Sequence, residues 1–178
     1  MPRHYPGLGR LLGRGTLGST FALHRPGVQG QGEEEINEVA RVIEKSTVRQ
    51  VQDIKRLKGY FNVMLAVSCE QWQHPNVMRV LGISHSTTQL VLRQEYCGHI
   101  SLHDRLRQKD GVELSLNKVC SALKQACAAV THLHLGPGIC HRDLRPENFL
   151  LTESENSLVL KLSEFDSSAL LGNESLCR

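Results

Sequence analysis

Long apolar runs are missing from the 178 residues. A helix that crosses a bilayer needs roughly 18–20 consecutive apolar residues, so no membrane-spanning segment is predicted. The first residues, Met1-Pro2-Arg3-His4-Tyr5-Pro6, lack the apolar stretch of a secretory leader, and the expected compartment is the cytoplasm. An excess of one charge is also missing. Lys and Arg number 21 against 18 Asp and Glu, leaving a formal charge of +3. Nucleic-acid binding wants a concentrated positive face, so no nucleic acid is expected as a partner. No Cys-x-x-Cys occurs among the six cysteines, and free thiols are expected rather than disulfides. Cys120 and Cys127 are seven apart in a helical pattern and read as buried thiols on one face. His132 and His134 are two apart, so a helix does not let them face each other and no metal site is predicted there. There is no internal repeat.

What is present fits an ordinary globular chain, with 40% hydrophobic and 22% charged residues. Residues 19–23 and 39–43 read as strands. Between them, Pro26 to Gly32 and the glutamates at 33–35 read as a solvated loop. Ser46 offers an N-cap for a helix whose apolar stripe would be Val48, Val51, Ile54, Phe61 and Leu65, weakened at Gly59. His74-Pro75-Asn76 breaks the chain, and 77–83 and 89–93 read as strands around a polar turn at 84–88. From Gly98 the character turns helical. Residues 101–107 form a short helix candidate. Residues 115–135 form a long one, capped by Ser115, stopped by Gly136, and striped at 116, 119, 123, 126/127, 130 and 133. Two apolar stretches, 149–151 and 158–162, flank a polar turn and predict a hairpin. The expected class is α+β, with a sheet-rich region at 1–97 and a helical one at 98–178.

Gly13-Arg14-Gly15-Thr16-Leu17-Gly18 has G-x-G-x-x-G spacing. Glycines let a backbone approach phosphate oxygens and turn without a Cβ clash. A dinucleotide-binding unit needs a helix directly after the motif. Here a strand pattern and a Pro-Gly turn follow, so a glycine-rich hairpin is the better reading. A merely flexible turn is the alternative.

His141-Arg142-Asp143-Leu144-Arg145-Pro146-Glu147-Asn148 is more specific. It resembles the catalytic loop of protein kinases, H-R-D-L-x-x-x-N. The resemblance extends to the glycine motif, His74-Pro75-Asn76-Val77 before a strand, Glu95-Tyr96 at a hinge, and Ser163-Glu164-Phe165-Asp166 where D-F-G would fall. It implies a kinase-like bilobal fold with an antiparallel small-lobe sheet and an incomplete helical large lobe. It also implies ATP and Mg2+ as cofactors. By position, Asp143 would accept a proton from the attacking hydroxyl, and Arg145 would stand against the transferring phosphate. Asn148 and Glu164 would hold Mg2+. The ATP-binding set implied is Gly13, Gly15, Gly18, Arg41, Glu95, Cys97 and Leu150, with Gln94 as gatekeeper, while His141 and Arg142 would be structural.

The pattern also breaks. A one-residue shift places Arg41 at the small-lobe lysine, and a slip of four would place Lys45 there. A planar guanidinium does not reproduce an ammonium. The helix glutamate that should pair with that lysine falls on Met64 or Leu65. Glu164 keeps a carboxylate but adds a methylene, and Asp166 replaces a glycine. The chain stops at Arg178 without an activation segment or A-P-E element. A fragment or a truncated product is therefore expected, with exposed apolar surface. Two functions follow from the resemblance. The favoured one is a weak or inactive regulatory module that binds a protein partner. The other is a serine/threonine kinase that phosphorylates protein when the rest of its domain is present.

Overall fold

The computed structural model describes residues 7–23, 36–107, 114–153 and 157–172. The expected loop at 26–35, the tip of the 149–162 hairpin and Cys177 lie outside the described residues. The chain groups into two compact units. One draws on the chain up to Lys55 and on Val80–Tyr96; the other draws on Arg56–Arg79 and on the chain from Cys97 onward. The grouping is thus not a single cut at 97, because most of the first helix falls in the second unit.

The first unit is a five-stranded antiparallel sheet in the order β1-β2-β3-β5-β4. Its strands are β1 (Leu8–Gly15), β2 (Gly18–Leu23), β3 (Glu38–Glu44), β4 (Val80–His85) and β5 (Gln89–Glu95). β3 is central and buried through Val39, Ala40, Arg41, Val42 and Ile43. Side chains alternate across a strand. Ala40 and Val42 therefore share one face, where they pack with Val91, Leu8, Phe21 and Leu23. Arg41 points to the other face, in register with Thr20 on β2 and Leu92 on β5.

α1 (Val51–Ser68) begins four residues later than Ser46 as N-cap suggested. Ser46 lies in a short 3-10 turn at Lys45–Thr47. The start of α1 is closed from inside, where Asp53 Oδ2 accepts from the backbone N–H of Arg49 (3.1 Å) and Gln50 (2.9 Å). The buried face is Tyr60, Val63, Met64 and Val67, while Val51, Ile54 and Leu65 are exposed. α1 carries two apolar stripes, and its period alone does not say which one meets the core.

The second unit is led by α3 (Leu116–Leu135), with Ser115 as N-cap and Gly136 as C-cap. Around it stand β6 (Ile100–Ser101), α2 (Leu102–Arg107), β7 (Ile139–Cys140), β8 (Phe149–Glu153), β9 (Leu158–Leu162) and β10 (Ala169–Leu170). β8 and β9 form the expected antiparallel hairpin, with β6 beside β8. The buried residues of α3 are Ala122, Ala129 and Leu133, and not Leu116 or Leu123, which are exposed. Small side chains at Ala122 and Ala129 let neighbouring elements approach the helix, and Leu133 completes the buried face. The same rotation corrects the cysteine expectation, since Cys120 and Cys127 are exposed thiols.

β9 is the edge of its sheet. An open edge strand leaves backbone groups unpaired; here side-chain amides close it. Gln125 Nε2 donates to the carbonyl of Leu158 (2.7 Å), and its Oε1 accepts from the N–H of Leu160 (2.9 Å). Asn76 Nδ2 donates to the carbonyl of Leu160 (2.8 Å) and to Gln125 Oε1 (2.7 Å). The N–H of Leu162 donates to the carbonyl of Asn76 (2.8 Å), and that of Met78 to the carbonyl of Leu162 (3.0 Å). The break at His74-Pro75-Asn76 thus becomes a clasp on β9.

Candidate functional site

In the first unit the glycine motif is a tight hairpin. Gly15 pairs with Gly18, Arg14 with Ser19, and Gly13 with Thr20. A strand follows it, as the hairpin reading expects. The three glycines stand in different surroundings. A Cβ on Gly13 would meet nothing within 4 Å. Gly18 has φ +155°, and its Cβ would collide with the carbonyl oxygen of Val42 on β3. At Gly15 a Cβ would collide with Nη2 of Arg41, whose Cζ lies 3.6 Å away. Arg41 is 3% exposed. Lys45 lies beyond the end of β3, and its Nζ donates to the carbonyl of Ser86. Of the two basic residues considered for this place, Arg41 is the one under the hairpin. At the far end of β5, Gln94 is buried and Glu95 half-buried, and the N–H of Tyr96 donates to the carbonyl of Asn37 (3.0 Å).

In the second unit, α3 and β7 deliver the chain to the loop 141–148. His141 is buried, and its ring Nε2 lies 2.8 Å from the carbonyl of Ser163. A carbonyl can only accept, so Nε2 carries the proton. Burial holds the imidazole below its ordinary pKa of 6.5, keeping it neutral. The ring also meets Phe165 edge-on at 5.0 Å, and Ser168 Oγ donates to the carbonyl of His141 (3.1 Å). These contacts bind the loop to the segment 163–168.

Asp143 and Asn148 are brought together. Asn148 Nδ2 donates to Asp143 Oδ2 (2.9 Å) and to the Asp143 carbonyl (2.8 Å). The Asn148 carbonyl in turn accepts from the N–H (2.9 Å) and Oγ (3.0 Å) of Ser163. Glu164, the next residue, is exposed, in left-handed backbone at φ 58°. Arg142 is also left-handed, at φ 65°. Left-handed backbone is costly for residues with a Cβ, so both are held by their surroundings. Arg145 is less fixed. Its side chain is 56% exposed, and its Nε is 3.6 Å from Glu147 Oε2. Such exposed pairs contribute little. Cys97 is buried, and Leu150 is half-buried on β8 opposite Lys161.

The two α1 positions expected from the sequence to carry the glutamate hold no acid. Met64 is fully buried and Leu65 exposed. The sole acid of α1, Asp53, is occupied at its start. Among the described residues no group of three or more His, Cys, Asp and Glu is placed to hold a metal ion, and no helix is long and apolar enough to cross a membrane.

Comparison with known proteins settles the family. The protein kinase domain matches residues 8–177. The chain belongs to the protein kinase family. It is 32% identical over 163 residues to CBL-interacting serine/threonine-protein kinase 20 of Arabidopsis thaliana, covering 92% of this chain and 33% of that one. It is 30% identical over 164 residues to CBL-interacting serine/threonine-protein kinase 24 of the same plant, with coverage of 92% and 33%. Calcium-dependent protein kinase 3 of Plasmodium berghei is 24% identical over 159 residues, covering 89% of this chain and 26% of that one. The chain spans about a third of the length of the curated relatives it matches. Gln125 and Asn76 are the residues whose part the sequence reading missed; a glutamine in mid-helix carries no local signal of its partner.

The family uses ATP and Mg2+. Asn148 and Glu164 present hard oxygen donors of the kind Mg2+ takes. At the glycine hairpin a Cβ on Gly15 would collide with the Arg41 guanidinium, so that side of Gly15 offers no open cradle for a phosphate.

Proposed function

We propose that this kinase domain serves as a regulatory or interaction module for a protein partner, with phosphoryl transfer weak or lost. The observation that carries this reading is the state of the small-lobe clamp. Its basic residue is a buried arginine packed on Gly15, and the helix that should answer it with a glutamate has Met64 and Leu65 instead. Phosphoryl transfer depends almost wholly on positioning and electrostatic stabilisation, so an incomplete clamp costs orders of magnitude in rate. Where a nucleotide does enter, Gly13, Gly18, Glu95, Cys97 and Leu150 would contact it, and Asn148 and Glu164 would hold Mg2+, which neutralises phosphate charge. Five described cysteines outside any disulfide, Cys69, Cys97, Cys120, Cys127 and Cys140, suit a reducing compartment, and the reading places the chain in the cytoplasm.

The second reading is a serine/threonine kinase that transfers the γ-phosphate of ATP to protein. The favouring observation is the held Asp143–Asn148 pair. There Asp143 would accept the hydroxyl proton and Arg145 would face the phosphate. Incubation with γ-labelled ATP, Mg2+ and a general protein substrate separates the two. No label beyond that of Asp143→Asn supports the module, and Asp143-dependent label supports the enzyme.

A further inference from the structure

Gly13, Thr20, Arg41 and Leu92 form one row across β1, β2, β3 and β5. From its place in that row Arg41 extends toward the hairpin tip, and a Cβ on Gly15 would collide with its Nη2. Glycines in a phosphate-binding loop leave room for ligand oxygens to reach the backbone. Two of these three glycines are already used by the protein itself. Gly18 makes room for the Val42 carbonyl, and Gly15 for the Arg41 guanidinium. The guanidinium is a rigid planar fork, bulkier than the compact ammonium of a lysine. Arg41 is 3% exposed, whereas Gly15 itself is exposed; the guanidinium closes the one side of Gly15 on which it lies, and a phosphate reaches that side only after the arginine has swung away.

We infer that Arg41 is an internal occupant of the glycine hairpin, excluding nucleotide phosphates from the place where its positive charge would otherwise attract them. The inference rests on the reading of this hairpin as the nucleotide side of the domain. It goes beyond weak transfer, since it places the block at binding and assigns it to one side chain.

The test is a titration of ATP, with and without Mg2+, into the whole chain and its Arg41→Lys and Arg41→Ala variants, followed by calorimetry. Circular dichroism checks that each is folded. The expected result is binding at least about tenfold tighter in the variants than in the wild type, a difference of ~1.4 kcal/mol. Wild-type binding as tight as that of the variants overturns the inference, and so does absence of binding in all three. If Arg41→Ala does not fold, Arg41→Lys carries the comparison under the same criterion. A second measurement reads the contact directly. Gly15→Ala should lower the melting midpoint of the wild type and leave that of the Arg41→Lys chain almost unmoved, because the shorter side chain ends before Gly15. An equal drop in both backgrounds overturns it. Wild-type binding as tight as that of the variants, without transfer, would leave the module reading standing while removing this inference. Transfer by the wild type well above that of Asp143→Asn would remove the module reading itself.

Discussion

Replacing Gln125 with alanine should loosen the second unit in a way that can be worked out in advance. In the native chain Gln125 Nε2 donates to Leu158, and Oε1 accepts from Leu160. After the change, the Leu158 carbonyl and the Leu160 N–H face the helix with no partner. A buried backbone group left unsatisfied costs roughly 1–3 kcal/mol. Gln125 is only half-buried, so water reaches part of the gap and the low end applies. Alanine returns a few tenths of a kcal/mol through its better helix propensity. The net loss is about 2 kcal/mol, or about 4–8 °C in melting midpoint for a chain of this size. Urea unfolding followed by far-ultraviolet circular dichroism measures it, and an unchanged slope confirms that stability alone has moved. Gln125→Glu keeps an acceptor for Leu160 but sets a second acceptor against the Leu158 carbonyl, so its loss should be at least as large. A Gln125→Ala midpoint within the equivalent of about 0.5 kcal/mol of wild type would refute the amide closure of β9.

Two more outcomes follow from the same geometry. Gly18→Ala sets a Cβ against the Val42 carbonyl at a positive φ, so a loss of about 2–3 kcal/mol is expected, and an unchanged melting midpoint would contradict the close approach of β2 to β3. Acid should weaken the second unit. His141 is held below 6.5 by burial, and His74 by burial together with His132 and Lys161. Both are neutral in the fold, and His74 Nδ1 accepts from the N–H of Asn76 (3.1 Å). The unfolded chain takes up protons first as pH drops through 6.5, so stability is full above that value and is lost toward the lower folded pKa values. Urea midpoints at about pH 7.5 and about pH 5.5 check this; an equal or higher midpoint in acid contradicts it.

What could be read in the sequence was local. Ser115 and Gly136 mark the ends of α3 because capping depends on a few neighbouring residues. The β8–β9 hairpin declares itself by two apolar stretches around a polar turn. The His-Arg-Asp loop and its Asn148 are legible because their chemistry demands residue types at fixed spacing. Helix faces were less legible. Leu116 and Leu123 belong to the apolar stripe of α3 and are exposed, whereas Ala122 and Ala129 join Leu133 on its buried face, since close packing wants small side chains there. The start of α1 was hidden because Asp53 caps it from within, where Ser46 looked the better cap. Strands of two residues such as β6, β7 and β10 exist only through their partners. The position of Arg41 follows from counting residues. Its packing on Gly15 is a tertiary fact, and no local pattern announces it.

The central claim is that a kinase domain with this clamp transfers phosphate poorly or not at all. Its most direct test is the rate at which label from γ-labelled ATP enters protein in the presence of Mg2+, measured for the wild-type chain beside Asp143→Asn. The account predicts that the two rates coincide. A wild-type rate well above that of Asp143→Asn would contradict it and establish the chain as a working phosphotransferase.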